Sequence, residues 1–302
     1  MANERDDFIH AQQRMLNRYG IEAESRYVRA CSTHGLAHVL VSGEGPPVVM
    51  VGGMGVPAAA WAPLMAELRG FRLYAVDLPG FGLTDVTPWF SADLRFRAVR
   101  FLSEVLDELE LDRAAFVGSY LGSLWSSWLS LDLPRRVTVQ VHVGCPAMVL
   151  GTSAPLAMRL LSLRAAGWLS RWMVRPSRKG LRLPGGIASR RPLVPELVDL
   201  LVAMGRQPAF GDTFVSTLHA LVTVWGSRSE TRLTREQLAR THQPALLIWG
   251  RDDPFGSRAV GERIVAAMPR AELHPVPGGY CPWLTGARDI GQVATEFLNR
   301  HE

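Results

Sequence analysis

Cysteine is scarce in this sequence of 302 residues, which contains Cys31, Cys145 and Cys281. So few cysteines, odd in number and far apart, do not indicate the disulfide framework of a secreted domain and favour reduced thiols. Lysine is scarcer still, because Lys179 is the only one and arginine supplies the rest of the 33 basic residues. These arginines are scattered, so the net charge of +5 does not indicate nucleic-acid binding, which requires a coherent basic stripe.

Long apolar runs are also missing from the sequence. No window is long and apolar enough to span a bilayer, and the charged start, Met1 to Asp7, lacks the apolar core of a signal peptide. We therefore expect a soluble, cytoplasmic protein with no membrane partner. No Gly-x-Gly-x-x-Gly motif follows the first strand and the histidines lack metal-ligand spacing, so we expect no cofactor and no metal. The sequence does not indicate an oligomeric state.

Apolar residues make up 47% of the sequence, enough for the core of one large domain. Short apolar strands alternate with helical segments: strands at 48–51, 72–77, 114–118 and 137–143, and helices at 58–68, 92–109 and 121–131. Such alternation predicts βαβ units and therefore an α/β fold with a mostly parallel, doubly wound sheet.

The pattern changes between residues 147 and 243, where it becomes helical and is interrupted by proline and glycine. A strand at 245–250 resumes the sheet, and helices at 259–267 and 287–300 complete it. We therefore predict a core formed by residues 1–146 and 244–302, with a helical cap of residues 147–243 inserted after the sixth strand.

Four short motifs occur in a fixed order along the chain. They are Asp77-Leu-Pro-Gly-Phe-Gly, Gly118-Ser-Tyr-Leu-Gly122, Gly250-Arg-Asp-Asp-Pro254 and Pro277-Gly-Gly-Tyr-Cys. In order and spacing they resemble the third-strand loop, the nucleophile elbow, the acid loop and the histidine loop of α/β-hydrolases. The resemblance covers roughly residues 25–300 and implies an α/β-hydrolase fold with an inserted helical cap.

The resemblance also implies where the catalytic positions lie. The elbow requires small residues two positions before and two after the nucleophile, and only Tyr120 has both, namely Gly118 and Gly122. By the same resemblance Tyr280 stands where the family has histidine, and Asp253 is the acid, with Asp252 as the adjacent alternative. The glycine loop implies that Gly53 borders the site, and that the Met54 and Leu121 amides form an oxyanion hole.

Tyrosine at both positions makes ordinary ester hydrolysis unexpected, because no imidazole is present to activate a nucleophile. We expect Tyr120, Asp253 and Tyr280 to be catalytic, with the phenols as acid/base or orienting groups. By analogy with other triad-deficient members of the fold, the expected reaction is non-hydrolytic: cyclisation, C–C bond formation, ring opening or elimination on a bulky natural-product intermediate. Two alternatives stay open, a hydrolase with an unusual nucleophile and a non-catalytic ligand-binding receptor.

Aromatic residues are abundant near the positions that the resemblance assigns to the cavity. Large, flat side chains suit a bulky hydrophobic or aromatic small molecule, which is the partner that we expect. The predicted substrate-binding residues are Gly53, Trp89, Trp168, Trp172, Trp225, Cys281 and Trp283, with Met54, Met148 and Met173 as further wall residues.

Overall fold

The computed structural model describes residues 2–147, 149–163, 167–182 and 192–301. Its strands are β1 Glu24–Ala30, β2 Gly35–Ser42, β3 Pro47–Val51, β4 Arg72–Val76, β5 Ala114–Gly118, β6 Val137–Val143, β7 Val222–Thr223, β8 Gly226–Ser227, β9 Ala245–Gly250 and β10 Ala271–Val276. Its helices are α1 Ala2–Arg18, α2 Ala62–Met65, α3 Leu94–Glu108, α4 Leu121–Asp132, α5 Leu156–Leu161, α6 Gly167–Met173, α7 Arg178–Arg182, α8 Pro195–Arg206, α9 Pro208–Leu221, α10 Arg235–Ala239, α11 Arg258–Val265 and α12 Trp283–His301.

Eight of these strands form one sheet in the order β1-β2-β4-β3-β5-β6-β9-β10. β2 pairs antiparallel with β1 and β4, and the other neighbours pair in parallel. The interior strands β5 and β9 are buried along their whole length, as near-continuous apolar runs in a parallel sheet should be. The predicted α/β-hydrolase fold, with its mostly parallel sheet, is therefore confirmed.

The segment between β6 and β9 contains α5–α10, but it is not purely helical. β7 and β8 pair as a two-stranded hairpin that the sequence analysis did not anticipate. The division into core and cap stays a prediction. The helix predicted at 58–68 is shorter in the structure, where a 3-10 turn at Ala58–Trp61 leads into α2.

The first helix lies against this inserted segment. α1 packs on α8, and its Phe8 and Met15 side chains are fully buried. Two exposed ion pairs run alongside, Arg14 with Asp199 and Arg18 with Glu196. Among the described residues, no helix has the length and apolar character needed to cross a membrane.

Candidate active site

The turn between β5 and α4 has the backbone of a nucleophile elbow. Tyr120 has a φ of 49° and a ψ of −102°, a conformation that is rare and strained for any residue with a Cβ. A Cβ on Gly122 would collide with the carbonyl oxygen of Val51, and one on Gly118 would lie 2.7 Å from the Ser123 amide nitrogen. The two glycines therefore make the turn possible, and Tyr120 occupies its apex.

The Tyr120 side chain is enclosed in the protein. Only 2% of it is exposed, and its hydroxyl has no hydrogen-bond partner among the described residues. Its ring centroid lies 4.3 Å from that of Phe255 and 5.1 Å from that of Tyr280. Three aromatic rings therefore meet where the family resemblance places the nucleophile and the histidine.

Tyr280 reaches across this cluster to the glycine loop after β3. Its hydroxyl packs so closely on Gly53 that a Cβ at that position would collide with it. A phenol is longer than an imidazole, so the polar atom of Tyr280 is carried toward the predicted oxyanion loop. No acceptor among the described residues takes a hydrogen bond from the Met54 or Leu121 amide, so both donors remain available.

Asp253, in the loop after β9, is held by the backbone. Its two carboxylate oxygens accept hydrogen bonds from the Cys145 amide at 3.0 Å and the Phe255 amide at 2.9 Å. Two backbone amides therefore hold the carboxylate in place. Burial raises the pKa of Asp253 to about 6, although the two amide hydrogen bonds oppose the shift.

The other groups at this centre remain protonated at neutral pH. Burial raises the pKa of the Tyr120 and Tyr280 phenols well above the ordinary value. It also raises the pKa of the Cys145 and Cys281 thiols, and the Asp253 charge adds to both shifts. Neither a phenolate nor a thiolate is therefore formed here near pH 7.

A cavity of about 440 Å³ opens above the aromatic cluster. Its floor includes Tyr120, Phe255 and Tyr280, and the segment between β6 and β9 supplies much of its wall. Most of its lining is apolar: Met54, Val56, Ala60, Met158, Leu161, Met173, Val174, Leu193, Leu197, Leu201, Phe214, Trp283 and Leu284. Such a cavity fits an apolar small molecule that presents one polar group to the floor.

The predicted wall residues are only partly found there. Met54, Met173, Cys281 and Trp283 line the cavity, and Gly53 contacts the Tyr280 hydroxyl. Trp283 is fully buried, stacked on Trp61 and bonded through its ring N–H to the carbonyl of Ala60.

Three of the predicted tryptophans require correction. Trp89, Trp172 and Trp225 are 60%, 66% and 89% exposed and do not line the cavity. A tryptophan on a short surface helix or turn can face either solvent or a cavity. These three face solvent. The side chain of Trp168 and all of Met148 lie outside the described residues.

Phe255 is a site residue that the sequence pattern does not predict. It contacts both tyrosines and donates its amide to Asp253. Its position in the sequence could have indicated this role, because it follows Asp253 by two residues in the same loop. Groups of histidine, cysteine and carboxylate side chains suited to a metal ion are not found within the described parts of the chain.

The fold and the geometry of this site define a class of protein. A family model described as the alpha/beta hydrolase fold matches residues 46–286. The chain belongs to that family.

Several curated relatives have similar sequences along most of their length. One is the 2-hydroxy-6-oxononadienedioate/2-hydroxy-6-oxononatrienedioate hydrolase of Cupriavidus pinatubonensis, 31% identical over 83% of this chain and 86% of the relative. Another is the 2-hydroxy-6-oxo-6-phenylhexa-2,4-dienoate hydrolase of Comamonas testosteroni, 26% identical over 88% and 91%. Among solved structures, a meta-cleavage product hydrolase from Pseudomonas fluorescens is 23% identical, with a TM-score of 0.73 over 92% of this chain and 98% of that one.

These relatives correct the expected reaction. We expected a cyclase- or lyase-like, non-hydrolytic enzyme of natural-product biosynthesis, but the similar curated proteins are named hydrolases. The non-hydrolytic interpretation is therefore wrong, and the hydrolase alternative agrees with the relatives. The physical error was to treat the loss of serine and histidine as the loss of hydrolysis, although attack by water needs only a base and oxyanion donors.

Proposed function

We propose that this chain is a hydrolase of small, largely apolar oxo compounds in which water is the nucleophile and Asp253 the general base. The observation that carries the proposal is the buried Asp253 carboxylate, which two backbone amides hold at the centre and whose pKa burial raises to about 6. The phenols and thiols around it stay protonated. A base with a pKa near the working pH is suited to proton transfer from water.

The state of the hydroxyl side chains supports water as the nucleophile. Tyr120 and Ser119 are buried, and their hydroxyls have no base within hydrogen-bonding distance among the described residues. In the proposed step, the oxygen of water bonds to the carbonyl carbon, its proton passes to Asp253 and the carbonyl oxygen becomes an oxyanion. When the oxyanion collapses to a carboxylic acid, the bond from that carbon to the neighbouring chain carbon breaks, and the departing carbon takes the proton from Asp253. Each Asp253 oxygen accepts one hydrogen bond from the backbone and keeps a lone pair for that water.

The oxyanion is stabilised from the opposite side of the centre. The Met54 and Leu121 amides have no acceptor among the described residues, and the neutral Tyr280 hydroxyl lies against Gly53, the residue before Met54. A phenol with a raised pKa remains a hydrogen-bond donor throughout the neutral range, which this role requires. The relatives are named for substrates that carry a 6-oxo group. We propose that a carbonyl of that kind is the group that water attacks in the substrate of this chain.

A second candidate function is binding without turnover. It is favoured by the aromatic floor, where Tyr120 fills the apex of the elbow and its buried hydroxyl has no hydrogen-bond partner among the described residues. A protein of this kind would hold the same ligand in the same cavity, and the experiment below separates the two functions.

The test is loss of absorbance from chromogenic 2-hydroxy-6-oxo-dienoates, with Asp253→Asn and Tyr280→Phe compared with the unchanged protein. We expect Asp253→Asn to lower kcat by about 100-fold or more, because the base is lost. Tyr280→Phe should lower kcat by about 10- to 100-fold, because one oxyanion donor is lost. The matched control is Tyr120→Phe, which should leave kcat within about twofold because that hydroxyl has no proposed role.

The pH profile is the second readout of the same experiment. Since the carboxylate is the active form, kcat/KM should fall as the pH drops below about 6 and reach a plateau above it. Unchanged turnover in Asp253→Asn would contradict the base role, and a covalent fluorophosphonate adduct by intact mass would contradict water as the nucleophile. Saturable binding of the dienoate without turnover would favour the binding protein.

A further inference from the structure

The outer surface of α5 and α6 is unusually apolar. Leu156 and Leu160 of α5 are 65% and 49% exposed, and their spacing of four residues places them on one side of that helix. On α6, Leu169, Trp172 and Met173 are 51%, 66% and 63% exposed, again at spacings of three and four. We call these five residues the cap face.

The opposite side of α5 is apolar as well. Met158 and Leu161 of α5 line the cavity, while Met173 both lines the cavity and reaches solvent, which places the cap face at the mouth. When such a helix packs on the protein by one side, its other apolar side stays exposed to water. The cap face is therefore an apolar surface that the described part of the chain leaves exposed.

The charged residues of α5–α7 are all basic among the described residues. No acidic residue occurs in the sequence between Asp132 and Glu196, and the described part of α5–α7 and its connections carries Arg159, Arg171, Arg175, Arg178 and Lys179. Arg171 and Arg178 are neutralised in part by ion pairs with Asp212 and Asp199. The remaining cations leave the apolar side chains within a positive surface.

We propose that the cap face docks on the surface of an anionic lipid bilayer and opens the cavity toward it. Leucine, methionine and tryptophan would enter the boundary between headgroups and acyl chains, and the basic side chains would contact the anionic headgroups. A second copy of the chain fits less well, because a two-fold contact would place the same cations against each other. This docking is independent of the proposed reaction and differs from the sequence-based expectation of no membrane partner.

The test is co-sedimentation of the full-length protein with vesicles of phosphatidylcholine alone or mixed with phosphatidylglycerol. We expect binding to the mixed vesicles at about 0.1 M salt, little binding to neutral vesicles, and loss of binding as the salt rises toward about 1 M. Trp172→Glu and Leu160→Glu should each weaken binding by about tenfold or more, because an apolar contact is replaced by a charge of the wrong sign.

Phe96→Glu is the matched control. Phe96 is 58% exposed on α3, a helix that packs on α4 and β1, so this variant should bind vesicles as the unchanged protein does. Thermal unfolding of each variant shows that it is folded. The proposal is overturned if neither vesicle is bound, if Phe96→Glu weakens binding as much as Trp172→Glu, or if Trp172→Glu dissociates an oligomer of a protein that ignores vesicles.

Discussion

The hydroxyl of Tyr120 is a polar atom buried with no partner in the described residues. Such a group loses its hydrogen bonds to water on folding and regains none, at a cost of about 1–3 kcal/mol. We therefore expect Tyr120→Phe to raise the free energy of unfolding by about 1 kcal/mol, measured by urea denaturation. Tyr280→Phe, whose hydroxyl borders the cavity, should change it less, and a destabilised Tyr120→Phe would show that the hydroxyl has a partner.

At the same scale, the sequence located three of the residues at the centre and misplaced others. Tyr120, Asp253 and Tyr280 could be located because each lies in a short motif whose backbone follows from nearby glycines and prolines. The positions of Trp89, Trp172 and Trp225 depend on packing between distant segments, which a motif does not encode. Phe255 was missed for the same reason, since ring contacts with Tyr120 and Tyr280 arise only when three loops meet.

Among the elements, the elbow tolerates change least. Gly122→Ala should destabilise the protein by about 1–3 kcal/mol or prevent folding, because the new methyl group would meet the backbone of β3, which cannot move alone. Gly286→Ala is the matched control, since a Cβ there meets only the Ile290 side chain at 3.9 Å. Chemical denaturation measures both, and equal stability of the two variants would contradict the steric argument.

Strands and helices with strong periodicity were predicted within a few residues, as α3, α4 and α11 illustrate. Elements too short to show a full helical or strand period were not predicted correctly. The hairpin of β7 and β8 has two residues in each strand, too few for an alternating pattern. The helix expected at 58–68 was overestimated, because a run of alanines has high helix propensity even where the chain forms a 3-10 turn.

At the scale of the whole molecule, α1 connects the start of the chain to α8 of the inserted segment. Phe8→Ala should lower the free energy of unfolding by about 3–5 kcal/mol, because a fully buried ring is removed. The Phe8→Ala variant should also be cleaved faster by a protease within residues 147–243, and mass spectrometry of the fragments measures that rate. Arg14→Gln removes only an exposed ion pair and should change stability by less than about 1 kcal/mol. Equal effects of the two changes would contradict the packing role of α1.

The strained turn at Tyr120 also has a consequence for how this protein can evolve. The fold maintains a costly backbone conformation, two obligatory glycines and a held carboxylate around a residue that is not a serine. In the genetic code, tyrosine codons are one nucleotide away from serine codons and from histidine codons. Tyr120→Ser and Tyr280→His are therefore two point mutations within a scaffold that already has the required shape, so this lineage lies next to a serine hydrolase in sequence space.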